Sequence, residues 1–290
     1  MSIPAAAAKT TDASDGELSP ADIQVVIDLV KSRIAVQLEG KAYLIESRLA
    51  PVARQHNMAN LAELMGKIRG GNRAVIDDVL DAMTTNETSF FRDQHPFNVM
   101  AEKIIPEVVA RTGGSGPLTI WNGASSSGQE PLSLAMMIHD KFPSLARPGR
   151  TRIIATDYSA AMVRRTKDAI YSRFEINRGL PAKYAVDYFN QEGRTWVAKK
   201  EVTDLIEVRQ MNLIDKWTML PQCDLVLMRN VLIYFSTEVK QDILRRVRTD
   251  VLKPTGALLL GSSESTIGID QNYESVRECG STIFVPKGAK

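Results

Sequence analysis

The stretch Pro117-Leu118-Thr119-Ile120-Trp121-Asn122-Gly123-Ala124-Ser125-Ser126-Ser127-Gly128-Gln129-Glu130-Pro131 decides the fold. An apolar run gives way to a loop of small residues and then to a helical pattern reaching His139, which predicts a strand, a tight turn and a helix start. Such a turn lets backbone N–H groups approach an anionic or polar cofactor, at the point where the helix N-terminus is also positive. A dinucleotide seat requires G-x-G-x-x-G, and only Gly123 and Gly128 are present, so that reading fails. A connection that merely uses small residues remains open on the loop alone.

Outward from this stretch the pattern alternates. Strands are expected at 118–121, 152–156, 225–228 and 257–260, with helices at Gln129–Lys141, 160–169 and 237–252. Near-continuous apolar strands separated by helices are the mark of a parallel sheet covered on both faces. Chain order and crossover handedness then favour an open doubly wound α/β sheet with its ligand at the carboxyl ends of the strands. Residues 188–213 interrupt the alternation, with Gly193 as a turn and period-2 patterning over 205–211. They are expected to form antiparallel strands packed on one edge. The apolar run 282–285 should be the last strand of the main sheet.

Upstream, residues 1–17 are expected to be disordered. Ser19-Pro20 then opens a helix as N-cap and first helical residue. Ile23, Val26, Ile27, Val30 and Ile34 recur at three and four, and further helices are expected at 41–55, 60–68 and 72–84. Residues 18–83 therefore make a small all-helical domain, and 84–290 the second domain. Between Lys31 and Arg73 eight basic residues face three acidic ones, a local excess of +5. This bunching is either an ordinary solvated surface or a docking face for an acidic partner.

With 290 residues, 44% hydrophobic and 24% charged, the chain can bury a sizeable core, and a net charge of +2 makes no global demand for nucleic acid or an anionic membrane. No stretch has transmembrane length and no hydrophobic signal core opens the chain, so a cytoplasmic location is expected. Two cysteines and three scattered histidines offer no metal-ligand spacing, and no structural metal is expected.

The chemistry-bearing positions lie at predicted strand ends. Asp157 closes the second strand, where an acid can take both ribose hydroxyls of a nucleoside, although a helix N-cap role ahead of Ser159 competes. Glu130 sits in the first turn after the loop, favourable to the helix dipole in any case. A carboxylate there would also attract an amine or a sulfonium, which favours S-adenosylmethionine over a dinucleotide. Arg229 and Asn230 follow the fourth strand at the ligand edge. Neither the Asn/Asp-Pro-Pro-Tyr sequence of exocyclic-amine methylation nor a Pro-Cys nucleophile occurs, which argues against a nucleic-acid substrate. In Thr84-Thr85-Asn86-Glu87-Thr88-Ser89-Phe90-Phe91-Arg92, the two aromatics read more readily as core, while Arg92 could meet a carboxylate in a bidentate pair.

That segment, the loop 121–131 and Arg229-Asn230-Val231-Leu232-Ile233-Tyr234-Phe235 together resemble the CheR family, bacterial methyltransferases that act on chemoreceptor glutamates. The resemblance covers the chain from Leu18 onward, and three motifs in order are far more specific than any one. It implies a helical N-terminal domain that docks the receptor, a class I S-adenosylmethionine-dependent methyltransferase domain, and a small antiparallel β-subdomain at about 188–213. It also implies cofactor contacts from Asn86, Thr88, Arg92, Glu130, Asp157, Asn212, Leu213, Arg229 and Asn230, joined by Gly123 of the loop, and a transfer site bordered by Arg92 and Tyr234. The product would be S-adenosylhomocysteine and the partner the cytoplasmic helical bundle of chemoreceptors, in chemotaxis adaptation.

The family loop more often reads Trp-Ser-Ala-Gly-Cys-Ser-Thr-Gly-Glu-Glu-Pro-Tyr. Here Gln129 removes one of two adjacent acids and leaves Glu130. Members that bind a receptor's C-terminal pentapeptide tether carry a longer turn than Asn190-Gln191-Glu192-Gly193-Arg194, which weighs against tether binding. Since glutamate ionises at about pH 4.3, the acceptor would arrive already nucleophilic and need no general base.

Overall fold

A computed structural model describes residues 18–114, 116–218 and 220–288. The N-terminal segment 1–17 lies outside the described residues. The chain divides into two compact units. Of the described residues, one holds 18–33 together with Leu38–Met83; the other holds Ile34–Gln37 and those from Thr84 onward.

The first unit is helical: α1 (Pro20–Ile34), α2 (Ala42–Gln55), α3 (Leu61–Arg69) and α4 (Arg73–Met83). Ser19 is the cap the sequence predicts, and Asn60, expected as the first residue of a helix, proves to cap α3. Ser19 Oγ accepts from Asp22 N (3.1 Å), and Asn60 Oδ1 from Glu63 N (3.0 Å). Val26, Val30, Ile45, Leu49, Leu64, Val79 and Leu80 form the buried stripes. The basic excess dissolves once the unit is taken whole. Residues 18–83 carry eight basic and eight acidic side chains, because Asp22, Asp28, Asp77, Asp78 and Asp81 flank the +5 window. Arg69 pairs with Asp22, and Arg73 lies 3.8 Å from Asp77. Lys41, Arg54 and Lys67 are exposed and form no salt bridge among the described residues.

The second unit runs α5 (His95–Val99), a π-helical turn (Met100–Ile104), α6 (Ile105–Arg111), β1 (Leu118–Gly123), α7 (Gln129–Lys141), β2 (Thr151–Asp157), α8 (Ala160–Asp168), β3 (Ile170–Ser172), α9 (Arg173–Asn177), α10 (Ala182–Tyr188), β4 (Phe189–Glu192), β5 (Thr195–Ala198), α11 (Lys200–Thr203), β6 (Ile206–Gln210), β7 (Cys223–Met228), a 3-10 turn (Leu232–Tyr234), α12 (Thr237–Arg246) with a π-helical end (Val247–Val251), β8 (Leu252–Leu260), β9 (Tyr273–Glu278) and β10 (Ser281–Pro286). The main sheet has the order β6-β2-β1-β7-β8-β10-β9. Strands β6, β2, β1, β7 and β8 are mutually parallel; β10 runs antiparallel to β8 and β9. The order reverses beside β1, so a crevice opens at the carboxyl ends of β1 and β7.

Period-2 alternation divides each central strand between two cores. Leu118, Ile120, Ile153, Leu225, Leu227 and Leu259 face a cluster with α5 to α7. Trp121, Ile154, Val226, Met228, Leu258 and Leu260 face a second cluster with α12. Both clusters are buried and apolar, which is why the strands read as continuous apolar runs.

The antiparallel expectation for 188–213 needs correction. The hairpin β4–β5 turns at Gly193 as predicted, with Glu192 opposite Thr195, but its third strand is β3, giving the order β3-β5-β4. Ile206–Gln210 instead extends the main sheet, parallel to β2. As an edge strand it is only partly covered, and that produces its mixed pattern. Phe90 and Phe91 are core, 1% and 7% exposed. Phe90 packs edge-on against Tyr171 of β3 (5.1 Å between centroids) and Phe189 of β4 (5.8 Å); Phe91 meets Phe97 (4.9 Å) and Tyr184 of α10 (5.2 Å).

Gly179 has φ +93°, and a Cβ there would lie 2.1 Å from the Phe90 carbonyl oxygen. Gly179→Ala should therefore lower unfolding stability by about 2–4 kcal/mol in urea titration; an unchanged midpoint would show that the small sheet does not depend on this close approach.

Burial pushes the Cys223 thiol from 9.0 up to about 12 and raises the Tyr171 and Tyr273 phenols. Each stays protonated in the fold while the unfolded chain would ionise. Stability is then complete below about pH 9 and falls above it, as the unfolded state binds fewer protons. Urea midpoints at pH 8 and pH 11 measure this, the lower value being expected at pH 11.

Candidate functional site

The loop after β1 is held by its carbonyls and by one acid. Tyr171 donates to Ser127 O (2.7 Å), Thr166 Oγ1 to Ser126 O (3.0 Å), and Asp157 Oδ2 accepts from Ser126 N (2.7 Å). Asp157 Oδ1 accepts from Ser159 N (3.0 Å), while Ser159 itself caps α8. Asp157 thus fastens two turns, and the capping role belongs to Ser159. Ala124 and Ser126 have positive φ (57° and 51°), backbone strain of the kind that persists only where neighbours enforce it.

These turns wall a cleft that is open to solvent and lined wholly by residues of the second unit. Ten of the eleven positions singled out from the sequence line it: Asn86, Thr88, Arg92, Glu130, Asp157, Asn212, Leu213, Arg229, Asn230 and Tyr234. Gly123 does not. It completes β1 opposite Thr156, where a Cβ would sit 3.3 Å from Met228 Cε and 3.4 Å from the Trp121 ring. Its smallness serves packing, and Ser125 and Ser126 supply the loop's face to the cleft. Gly128, at φ +92°, is needed for the same reason: a Cβ would meet Thr166 Cγ2 at 2.8 Å and the Tyr171 hydroxyl at 3.0 Å.

Other lining residues went unselected because their sequence signal is bland. Ile34, Val36, Met211, Val231 and Phe235 add an apolar wall, and Tyr158 follows Asp157. The carbonyl of Tyr234 accepts from Gln37 N (2.9 Å), which brings a short remote segment beside the expected transfer residue. No local motif could have revealed that pairing.

Arg229 has a side chain only 1% exposed. It donates through Nη1 to Glu130 Oε1, and through Nη2 to Asp93 Oδ2 (2.7 Å) and Arg92 O (2.9 Å). Glu130 Oε2 also accepts from Asn122 Nδ2 (2.8 Å). Arg229 therefore ties the end of β7 to the start of α7 and to the segment bearing Arg92. Arg92 forms no salt bridge among the described residues. Its Nη1 donates to Glu87 O (3.1 Å), and the Glu87 carboxylate is taken by Arg178. Among the described residues no carboxylate forms a bidentate pair with Arg92, although its charge helps to hold the Glu87 carboxyl below its usual range, after the hydrogen bond and charge of Arg178. Phe91, Asp93 and Gln94 have positive φ on either side of it.

The donor set fits a nucleoside with a cationic amino-acid tail. The cleft is lined by three carboxylates, Glu87, Glu130 and Asp157, against two guanidiniums, Arg92 and Arg229, which leaves one net negative charge. Ser125 Oγ is buried at the wall without a hydrogen-bond partner. A carboxylate offers about four acceptor sites, so Asp157 can accept from ribose hydroxyls beside backbone N–H groups. Among the described residues no group of three or more His, Cys, Asp or Glu could hold a metal, and no helix is long and apolar enough to cross a membrane.

An open sheet with this strand order, a lone antiparallel strand near one edge and such a cleft at its switch point is the class I S-adenosylmethionine-dependent methyltransferase fold. The chain belongs to the CheR methyltransferase family: the all-alpha domain model matches residues 21–84 and the SAM-binding domain model residues 86–283. It is 40% identical over 251 residues to chemotaxis protein methyltransferase 1 of Pseudomonas aeruginosa, covering 85% of this chain and 90% of that one. It is likewise 40% identical to chemotaxis protein methyltransferase Cher2 of Pseudomonas putida, covering 86% and 91%, and to the chemotaxis protein methyltransferase of Vibrio parahaemolyticus, covering 82% and 86%.

Removing Glu130 would leave Arg229 buried with fewer carboxylate partners, a change that typically costs about 3 kcal/mol or more. Glu130→Ala should show this loss in urea titration together with weakened S-adenosylhomocysteine binding by calorimetry, and a variant as stable as the parent would exclude the strut role.

Proposed function

We propose that the protein transfers the methyl group of S-adenosylmethionine to specific glutamate side chains of chemoreceptors, forming methyl esters and releasing S-adenosylhomocysteine. The observation that carries this reading is Arg92, a cleft-lining guanidinium that forms no salt bridge among the described residues, on the same cleft as Tyr234, Asp157 and Glu130. An acid acceptor supplies what Arg92 lacks.

When bound, the cofactor supplies an electrophilic methyl on a sulfonium. The chain's residues position the partners. Asp157 would receive the ribose, and Asn86, Thr88, Glu130, Asn212, Leu213, Arg229 and Asn230, which line the same cleft, would hold the rest of the cofactor. Arg92 and Tyr234 aim the acceptor carboxylate, and no residue need remove a proton, because the acceptor is ionised at neutral pH. Charge is neutralised as the methyl moves, so orientation and exclusion of water are the useful contributions. The apolar wall of Val36, Met211 and Phe235 supports the second of these.

Lys41, Arg54 and Lys67 of the helical unit are the basic residues best suited to an acidic receptor bundle, a narrower basis for docking than the full window. The two-residue turn at Gly193-Arg194 supports the view that no receptor tether is taken up there.

Incubation with methyl-labelled S-adenosylmethionine and receptor-containing membranes should yield base-labile label on the receptor. Base-stable label, or label on small molecules alone, would overturn the reading. Tyr234→Phe should lower turnover by about tenfold, as loss of one orienting hydrogen bond predicts, while S-adenosylhomocysteine affinity is retained. Equal loss of both would remove Tyr234 from the acceptor side.

A further inference from the structure

One acid outside every motif above organises the loop from which the expected site residues project. Glu264 lies in the turn after β8, in Gly261-Ser262-Ser263-Glu264. Its Oε2 accepts from Asn230 N (2.7 Å) and Gly261 N (2.7 Å); its Oε1 accepts from Val231 N (2.9 Å) and Ile233 N (3.2 Å). Glu264 N in turn donates to Gly261 O (2.9 Å), closing the turn on itself. A single carboxylate therefore satisfies four backbone N–H groups drawn from the connections that follow two adjacent parallel strands, β7 and β8.

The site depends on this arrangement for two reasons. Asn230 sits at φ +58°, a left-handed conformation that asparagine tolerates but that has to be enforced. The approach of the two turns is also too close for any side chain at position 261. A Cβ on Gly261 would lie 2.7 Å from Glu264 Oε2 and 2.9 Å from Asn230 N. Asn230 and Tyr234 both line the cleft, four residues apart, with the 3-10 turn Leu232–Tyr234 between them. Oε2 grips the half of the loop that carries Asn230. Oε1 grips the half that leads into Tyr234.

We propose that Glu264 is a positioning residue for methyl transfer, presetting Asn230 toward the cofactor and Tyr234 toward the acceptor through one carboxylate. The acceptor half of this inference rests on the function proposed above; the cofactor half does not. A carboxylate is required because it is acceptor-only on both oxygens, whereas an amide keeps one acceptor oxygen and turns an NH2 toward two N–H donors.

The test compares Glu264→Asp, Glu264→Gln and Glu264→Ala in the full chain by three measurements: calorimetric Kd for S-adenosylhomocysteine, kcat on receptor-containing membranes at saturating S-adenosylmethionine, and amide hydrogen exchange over residues 229–235. Glu264→Gln should raise Kd by about tenfold or lower kcat by about tenfold, according to which half of the loop the amide releases. Exchange over 229–235 should quicken while β1 and β2 stay protected. Glu264→Ala should lose both, and Glu264→Asp, retaining two acceptor oxygens, should recover part of each.

Val108→Ala, a cavity under α6 in the other core, serves as a comparison of lowered stability and should leave Kd, kcat and loop exchange as in the parent. The inference is overturned if Glu264→Gln stays within twofold of the parent in Kd and kcat, if Gln and Asp behave alike, or if Val108→Ala produces the same changes. Should the parent fail to methylate receptors while Kd and exchange respond as described, the proposed acceptor is refuted and the positioning of the cofactor half is supported.

Discussion

The buried guanidinium of Arg229 is the constraint on which the second unit's site depends. A charge taken out of water is tolerated only where partners surround it, and Arg229 has Glu130, Asp93 and the Arg92 carbonyl. Those partners come from two parts of the chain, the first turn of α7 and the segment after Phe91, while Arg229 itself follows the end of β7. Satisfying one side chain fixes the mutual position of all three. The cleft takes its shape from that fixing, since Glu130 and Arg92 stand on its wall.

The same logic of satisfied polar groups recurs around the cleft. Asp157 binds two turns through backbone N–H groups, and Tyr171 and Thr166 hold the loop's carbonyls. Several residues lie in left-handed conformations there, including Ala124, Ser126 and Asn230. Each costs energy locally, and the surrounding hydrogen bonds offset it. The result is a set of loops that is ordered in advance, which suits a reaction in which positioning carries most of the catalysis.

Phe90 and Phe91 link that site to the small sheet. Their rings lie among Tyr171, Phe189, Phe97 and Tyr184, while the adjacent Arg92 faces the cleft. Burying a side chain of this size contributes about 2–3 kcal/mol, enough to anchor a segment whose backbone is strained. Anchoring and chemistry thus alternate along a few consecutive residues, and the aromatic pair next to Arg92 is explained without a ligand.

Much of this was legible in the sequence because it follows from local periodicity and capping. Strands with continuous apolar runs could only be covered on both faces, Ser19 ahead of Pro20 marked a helix start, and the acids and amides at predicted strand ends had to gather at one edge of a doubly wound sheet. Ten of eleven selected residues share a cleft for that reason. Tertiary structure alone decided what depends on which strands become neighbours. It sent Ile206–Gln210 to the main sheet and gave β3 to the small one. It balanced the basic window with acids from α1 and α4, and reassigned Gly123 from ligand approach to packing against Met228. It also enclosed Arg229 and set Glu264 under the loop it holds. A carboxylate looks the same in any sequence, and only the fold determines whether it meets water, a guanidinium or four backbone N–H groups.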